Sequence, residues 1–89
     1  MASIVFTQQL ARFLPVPRLA TDAPTLRVAL DEVCAAHPRL AAYVLDDQGR
    51  LRENVVVFID GHRCRDRARL DDPVPAGATI HILQALSGG

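Results

Sequence analysis

From residue 26 onward, Leu26, Leu30, Val33, His37 and Leu40 recur at intervals of four, three, four and three, which draws one stripe down a helix. Thr25 stands where an N-cap accepts from the first turn, and Pro38 disfavours helical geometry at the residue before it. The spacing therefore predicts a helix over 26–37. The remaining patterns read as strands. Ser3, Ile4, Val5, Phe6 and Thr7 are β-branched or aromatic, though three consecutive apolar residues leave the buried face undefined. Pro15, Pro17 and Pro24 donate no ladder hydrogen bond, so 16–21 is expected to be only a short, irregular edge strand.

Between 40 and 54 the chain turns polar, and Asp46-Asp47-Gln48-Gly49, flanked by Val44, Leu45 and Leu51, predicts a tight turn within a short hairpin or loop. Val55, Val56, Val57, Phe58 and Ile59 form a continuous run suited to a strand covered on both faces or central in a sheet. Asp60-Gly61 follows as a two-residue hairpin signal that returns the chain through His62, Arg63 and Cys64. Turns around Pro73, Pro75 and Gly77 lead to a last strand over 79–85, with Ile80 and Ile82 on one face. The predicted order is strand, strand, helix, strand, short strand, strand. One main helix across a mixed four- to five-stranded sheet is an α+β arrangement of β-grasp type, the economical way to bury one stripe and one set of inner strand faces. The expected division is a β-grasp domain over 1–85 and an extended tail over 86–89.

Composition narrows the picture. With 89 residues there is room for one domain near the lower limit of self-sufficient cores, and little for an enclosed catalytic pocket. Hydrophobic residues make up 49% but aromatics 4%, so the core must come from Leu, Val, Ile and Ala. A net charge of +0 lacks the positive field that draws proteins to phosphate backbones, which argues against nucleic acid. All ten basic residues are Arg. Cys34 and Cys64 are far apart and form no CxxC pair, and no segment nears the roughly 20 apolar residues of a membrane span. A reduced, cytoplasmic protein without membrane attachment is expected.

The candidate chemistry lies in Leu86, Ser87, Gly88 and Gly89. Glycine lacks Cβ, so its backbone enters slots closed to other residues. Extended, 86–89 reach about 13 to 14 Å, enough to thread into a partner's active site. A terminal carboxylate, with a pKa of about 3.3 to 3.7, is ionised and a poor electrophile until a group such as AMP is attached.

The run 55–61, the turns at Pro73 and Gly77, the segment Thr79-Ile80-His81-Ile82 and the closing Gly88-Gly89 resemble the MoaD/ThiS-type sulfur carriers. The stretch 45–52 is similar to the longer subgroup that includes the sulfur carrier of cysteine biosynthesis. The resemblance covers nearly the whole chain, and the Gly-Gly is its diagnostic part. It implies a carrier and co-substrate rather than an enzyme. In that scheme an adenylating enzyme uses ATP and magnesium to activate Gly89, while the carrier itself binds no cofactor. A sulfur donor such as a cysteine desulfurase or rhodanese then makes the thiocarboxylate, and a downstream synthase consumes it. Molybdopterin, thiamine, cysteine or a specialised metabolite could be the product. The chain departs from the family at Gly77-Ala78, where Gly-Asp is common, and at 84–87, where Pro-rich or Val-Ala sequences are common; both bear on partner identity.

His37, His62 and His81 fall on different elements, without metal-ligand spacing on any one of them. Cys34 and Cys64 read as small buried thiols, with Arg63 and Arg65 beside Cys64 leaving a redox role open. Arg63, Arg65, Arg67 and Arg69 alternate, so they line one face if the segment is extended; a solvated surface is the favoured reading, and docking to an acidic patch the alternative. Only one sheet face has a helix to cover it. The other would carry His81, Leu83 and Ala85 beside either Val56 with Phe58 or Val55 with Val57, as an apolar docking surface or a loop-covered satellite core. Phe58, His81, Leu83, Arg63 and Arg65 are thus the expected docking residues. Two other classes share this fold: a ubiquitin-like modifier joined to target amines through Gly89, and an interaction module with incidental terminal glycines.

Overall fold

The computed structural model describes residues 1–12 and 18–84. In it a five-stranded mixed sheet has the order β2-β1-β5-β3-β4, built from β1 (Ala2–Phe6), β2 (Arg18–Thr21), β3 (Val55–Ile59), β4 (His62–Arg63) and β5 (Thr79–Gln84). Three helices are described: α1 (Gln8–Ala11), α2 (Leu26–Ala36) and α3 (Pro38–Val44). This is the expected β-grasp. β5 takes the central place: it runs parallel to β1, pairing Ile4 with Ile80, and antiparallel to β3, pairing Val57 with Ile82. The run 55–59 lies one strand away from the centre and has one fully buried face, not two.

These registers sort every strand residue onto a face. Ala2, Ile4, Phe6, Val55, Val57, Ile59, Ile80 and Ile82 are all buried, and they meet Leu26, Ala29, Leu30 and Val33 of α2 in one core. The helical stripe is therefore what the inner sheet face requires. α2 begins where Thr25 Oγ1 accepts from Val28 N–H at 3.3 Å, as a good N-cap does.

Two helices were not expected. Leu40 continues the stripe of α2, but it sits in the separate α3, which replaces the first part of the predicted loop. His37 adopts φ −133°, ψ 75°, ends α2 by donating to Val33 O, and starts α3 by accepting from Leu40 and Ala41 N–H. Pro38 thus breaks one helix and opens the next, since its fixed φ suits the first helical turn. α1 is a single turn whose Leu10 is fully buried. Of the predicted second strand, 18–21 form the edge strand β2, while 16 and 17 lie outside the described residues. The Asp46–Gly49 turn is present, closed by a bridge between Leu45 and Leu51.

A stretch without regular structure, 64–78, is pinned to the helix rather than left loose. Leu26 N–H donates to Asp72 O at 2.9 Å and Arg27 N–H to Leu70 O at 2.7 Å, which satisfies donors that the first helical turn leaves unpaired. Leu70 is fully buried with φ +55°, an uncommon conformation for a branched side chain. Asp66 Oδ1 holds the turn before it by accepting from Ala68 and Arg69 N–H at 2.8 and 2.9 Å. The Arg27 guanidinium completes the clamp, donating to Gly49 O at 2.8 Å, Ala68 O at 2.7 Å and Arg69 O at 3.4 Å.

This clamp can be tested. Arg27→Met keeps the apolar stem and removes the charge-assisted hydrogen bonds, so urea denaturation should show a loss of about 1 to 3 kcal/mol. Asp31→Ala, which removes only the exposed 3.5 Å ion pair with Arg27, should cost less than about 0.5 kcal/mol. The two sheet faces are tested by neighbouring residues: Ile82→Asp should abolish cooperative unfolding, whereas Leu83→Asp, one residue on, should leave circular dichroism and the melting transition close to those of the parent chain.

Candidate functional site

β5 is the element that leads toward the tail. Its last described residue, Gln84, pairs with Val55 and donates from its N–H to Thr7 Oγ1 at 3.4 Å. Leu86, Ser87, Gly88 and Gly89, and also Ala85, lie outside the described residues.

The same registers resolve the open face. Phe58 pairs with His81 and Val56 with Leu83, so the residues beside His81 and Leu83 are Val56 and Phe58 and not Val55 and Val57, which are buried on the core side. Val5 pairs with His81 from the other flank, and Arg63 pairs with Phe58. Val5, Val56, Phe58 and Leu83 are half-buried, and His81 and Arg63 are exposed. α2 and α3 supply buried residues only to the opposite face. The result is a largely apolar strip across three strands, with His81 at its centre between Val5 and Phe58 and Arg63 at its margin. Val5 was missing from the sequence reading, and Val56 with Phe58 stood only as one of two alternatives, because three adjacent apolar residues in β1 and five in β3 hide the period-two alternation; strand pairing supplies the parity. Arg18, opposite Val5 on edge strand β2, adds a second exposed cation.

The alternating arginines do not form one face. β4 ends at Arg63; Cys64 N–H still donates to Val57 O, but Arg65 N–H bonds the carboxylate of Asp72 instead of a strand. Arg67 and Arg69 belong to the turn held by Asp66, and Arg67 donates to Arg52 O. The carboxylate of Asp66 breaks the extension, because its local bonds to the next amide groups favour a turn. Arg65 is thus exposed but lies beyond the strand that carries Arg63.

Electrostatics gives no nucleophile among the cysteines. Cys64 is buried and Cys34 half-buried, and in each case burial is the main cause that pushes the thiol pKa up, reinforced by Asp72 and Asp31 respectively. Backbone N–H donors to Asp46 and Asp66 hold those exposed carboxyls below the usual range, which reflects turn formation rather than acid–base chemistry. Among the described residues no group of three or more His, Cys, Asp or Glu could hold a metal ion, and no helix is long and apolar enough to cross a membrane.

No curated protein matches the chain. Solved structures do. SAMP1 from Haloferax volcanii is 27% identical with a TM-score of 0.78, over 99% of this chain and 98% of that one. A chain of the Amycolatopsis orientalis BexX/CysO complex is 20% identical with a TM-score of 0.84, over 100% of both. CysO from Mycobacterium tuberculosis is 16% identical with a TM-score of 0.82, over 97% of this chain and 100% of that one; the last two likenesses speak for the fold. The model of the ThiS family matches residues 4–89, through Gly88-Gly89. The chain belongs to the ThiS family and is a β-grasp protein of the ubiquitin-like sulfur-carrier type that its sequence resembles.

Proposed function

We propose that this chain carries sulfur on the carboxyl group of Gly89. The observation that carries the reading is the family match extending through Gly88-Gly89. A separate activating enzyme, using ATP and magnesium, joins AMP to the Gly89 carboxylate; the outer sulfur of a donor persulfide attacks the carbonyl and AMP leaves with the electron pair; a second thiol then cleaves the resulting acyl disulfide, leaving a disulfide on the donor and releasing the thiocarboxylate, which serves a downstream synthase. The body over 1–85 is the handle, and 86–89 form the part that enters the partner, with Leu86, Ser87 and Gly88 lining its path. No side chain of the carrier takes part in the chemistry.

The strip of Val5, Val56, Phe58 and Leu83 is the surface through which the activating enzyme holds the handle, with His81 at its centre and Arg63 at its margin. Three features support this: the strip is centred on β5, which leads into the tail; it is largely apolar; and among the described residues no helix packs on it. Arg65 supplies charge near the same edge. That a similar chain comes from a BexX/CysO complex supports a protein partner here.

A second reading is favoured by the likeness to SAMP1, which another solved structure describes as small archaeal modifier protein 1. In it the activated Gly89 is joined to an amine of a target protein. Both readings share adenylation and differ in the acceptor.

The shared step is measured by ATP–pyrophosphate exchange with the host's activating enzyme. Exchange should depend on the chain and vanish when Gly88 and Gly89 are removed. Phe58→Asp and Leu83→Asp, if folded, should raise the carrier concentration needed for half-maximal exchange by about tenfold or more. Undiminished exchange without the two glycines would contradict the function, and unchanged saturation in both charge variants would remove the strip from it.

A further inference from the structure

All ten basic side chains of the 89 residues are arginines. Eight are exposed, with Arg27 and Arg67 half-buried, so the surface carries cations without carrying side-chain amines. The distinction matters once Gly89 is activated. An acyl adenylate is an acylating agent: an amine nitrogen attacks its carbonyl, an N–C bond forms, the C–O bond to phosphate breaks, AMP leaves with the electron pair, and a proton passes to solvent. A lysine with a pKa of about 10.4 leaves about one amine in a thousand neutral near pH 7.4 and able to attack. A guanidinium, with a pKa above about 12, leaves essentially none. Arginine thus preserves the charge that partners read and omits the nucleophile.

Exposed His62 and His81 form only acyl-imidazoles that water hydrolyses, and the two thiols are withdrawn by the fold. Cys64 is 7% exposed and Cys34 half-buried, and burial keeps both thiols protonated, where they attack poorly. A backbone α-amine, with a pKa of about 7.7 to 8.0, is largely neutral at mildly alkaline pH, so the protection concerns side chains and the α-amine is blocked in the test below.

We infer that this chain is built as a donor that cannot be an acceptor: activated Gly89 passes to a sulfur donor or to another protein, and no side chain of the same or a second copy captures it. The inference rests on the activation of Gly89 proposed above and adds that the carrier protects its own activated form from self-acylation.

The test removes the enzyme, so that it stands apart from the exchange assay. The full chain, its α-amine blocked by acetylation, is prepared as a Gly89 thioester by intein cleavage and held at high concentration and mildly alkaline pH, with intact mass followed over time. The parent chain should only hydrolyse. Arg39→Lys and Arg69→Lys, exposed substitutions that keep the charge, should each give covalent dimers in which a branched peptide joins Gly89 to the new lysine. Dimers or circles of the parent chain through a cysteine or any other side chain would overturn the inference. So would lysine variants that hydrolyse without forming dimers, since the missing amine would then not be what protects the chain. Failure of ATP–pyrophosphate exchange, by contrast, counts against the carrier reading and leaves this result interpretable.

Discussion

The parallel pairing of β1 with β5 is the constraint on which the rest of the molecule depends. It joins residues 3–6 to residues 79–82, which are far apart in the sequence. Once made, it fixes which side chains of β5 face inward, Ile80 and Ile82, and the antiparallel pairing with β3 extends that choice to Val55, Val57 and Ile59. Because a one-residue slip would turn this whole set outward, the buried face specifies the register strongly. The same pairing sends the two ends of the sheet in opposite directions, so the element leading to the tail leaves the body beside Thr7, away from the start of β1.

The long segment between β4 and β5 needs a different device, since it contributes few ladder hydrogen bonds. Its carbonyls serve the first turn of α2, and Arg27 gathers three more from two loops. Buried Leu70 is held at positive φ in the middle of this arrangement. Helix and loop are each incomplete alone: the helix has unpaired donors at its start, the loop has unpaired acceptors, and each completes the other.

How much of this was legible in the sequence depends on the range of the forces involved. The strands at 55–59 and 79–84, the Asp60-Gly61 hairpin and the Thr25 cap follow from local rules, and the structure agrees: Asp60 and Gly61 have φ of +50° and +83°, as a primed turn demands. The ubiquitin-like family was legible from the same runs together with Gly88-Gly89. What failed was reading a proline only as a terminator. Pro38 both ends α2 and starts α3, and Leu40 kept the stripe's spacing across the break because both helices pack on one core. The arginine alternation misled because Asp66 turns the chain where the pattern implied extension. The open face needed pairing information: Val5 joins Phe58 and Leu83 only through β5, which no local period reveals.

These elements converge on one account. A small core without Trp and with few aromatics is enough to hold a rigid handle, its central strand leads into the segment that carries the Gly-Gly, and the sheet face opposite the described helices offers a grip. The most direct measurement purifies the protein from its native host, digests it after arginine and weighs the peptide of residues 70–89, which contains no Cys or Met that could hold the added mass. The account predicts a fraction carrying sulfur in place of one oxygen, trapped by a thiol-alkylating reagent at the Gly89 carboxyl. A carboxylate that stays unmodified after incubation with the host's activating enzyme, ATP and a sulfur donor would contradict it.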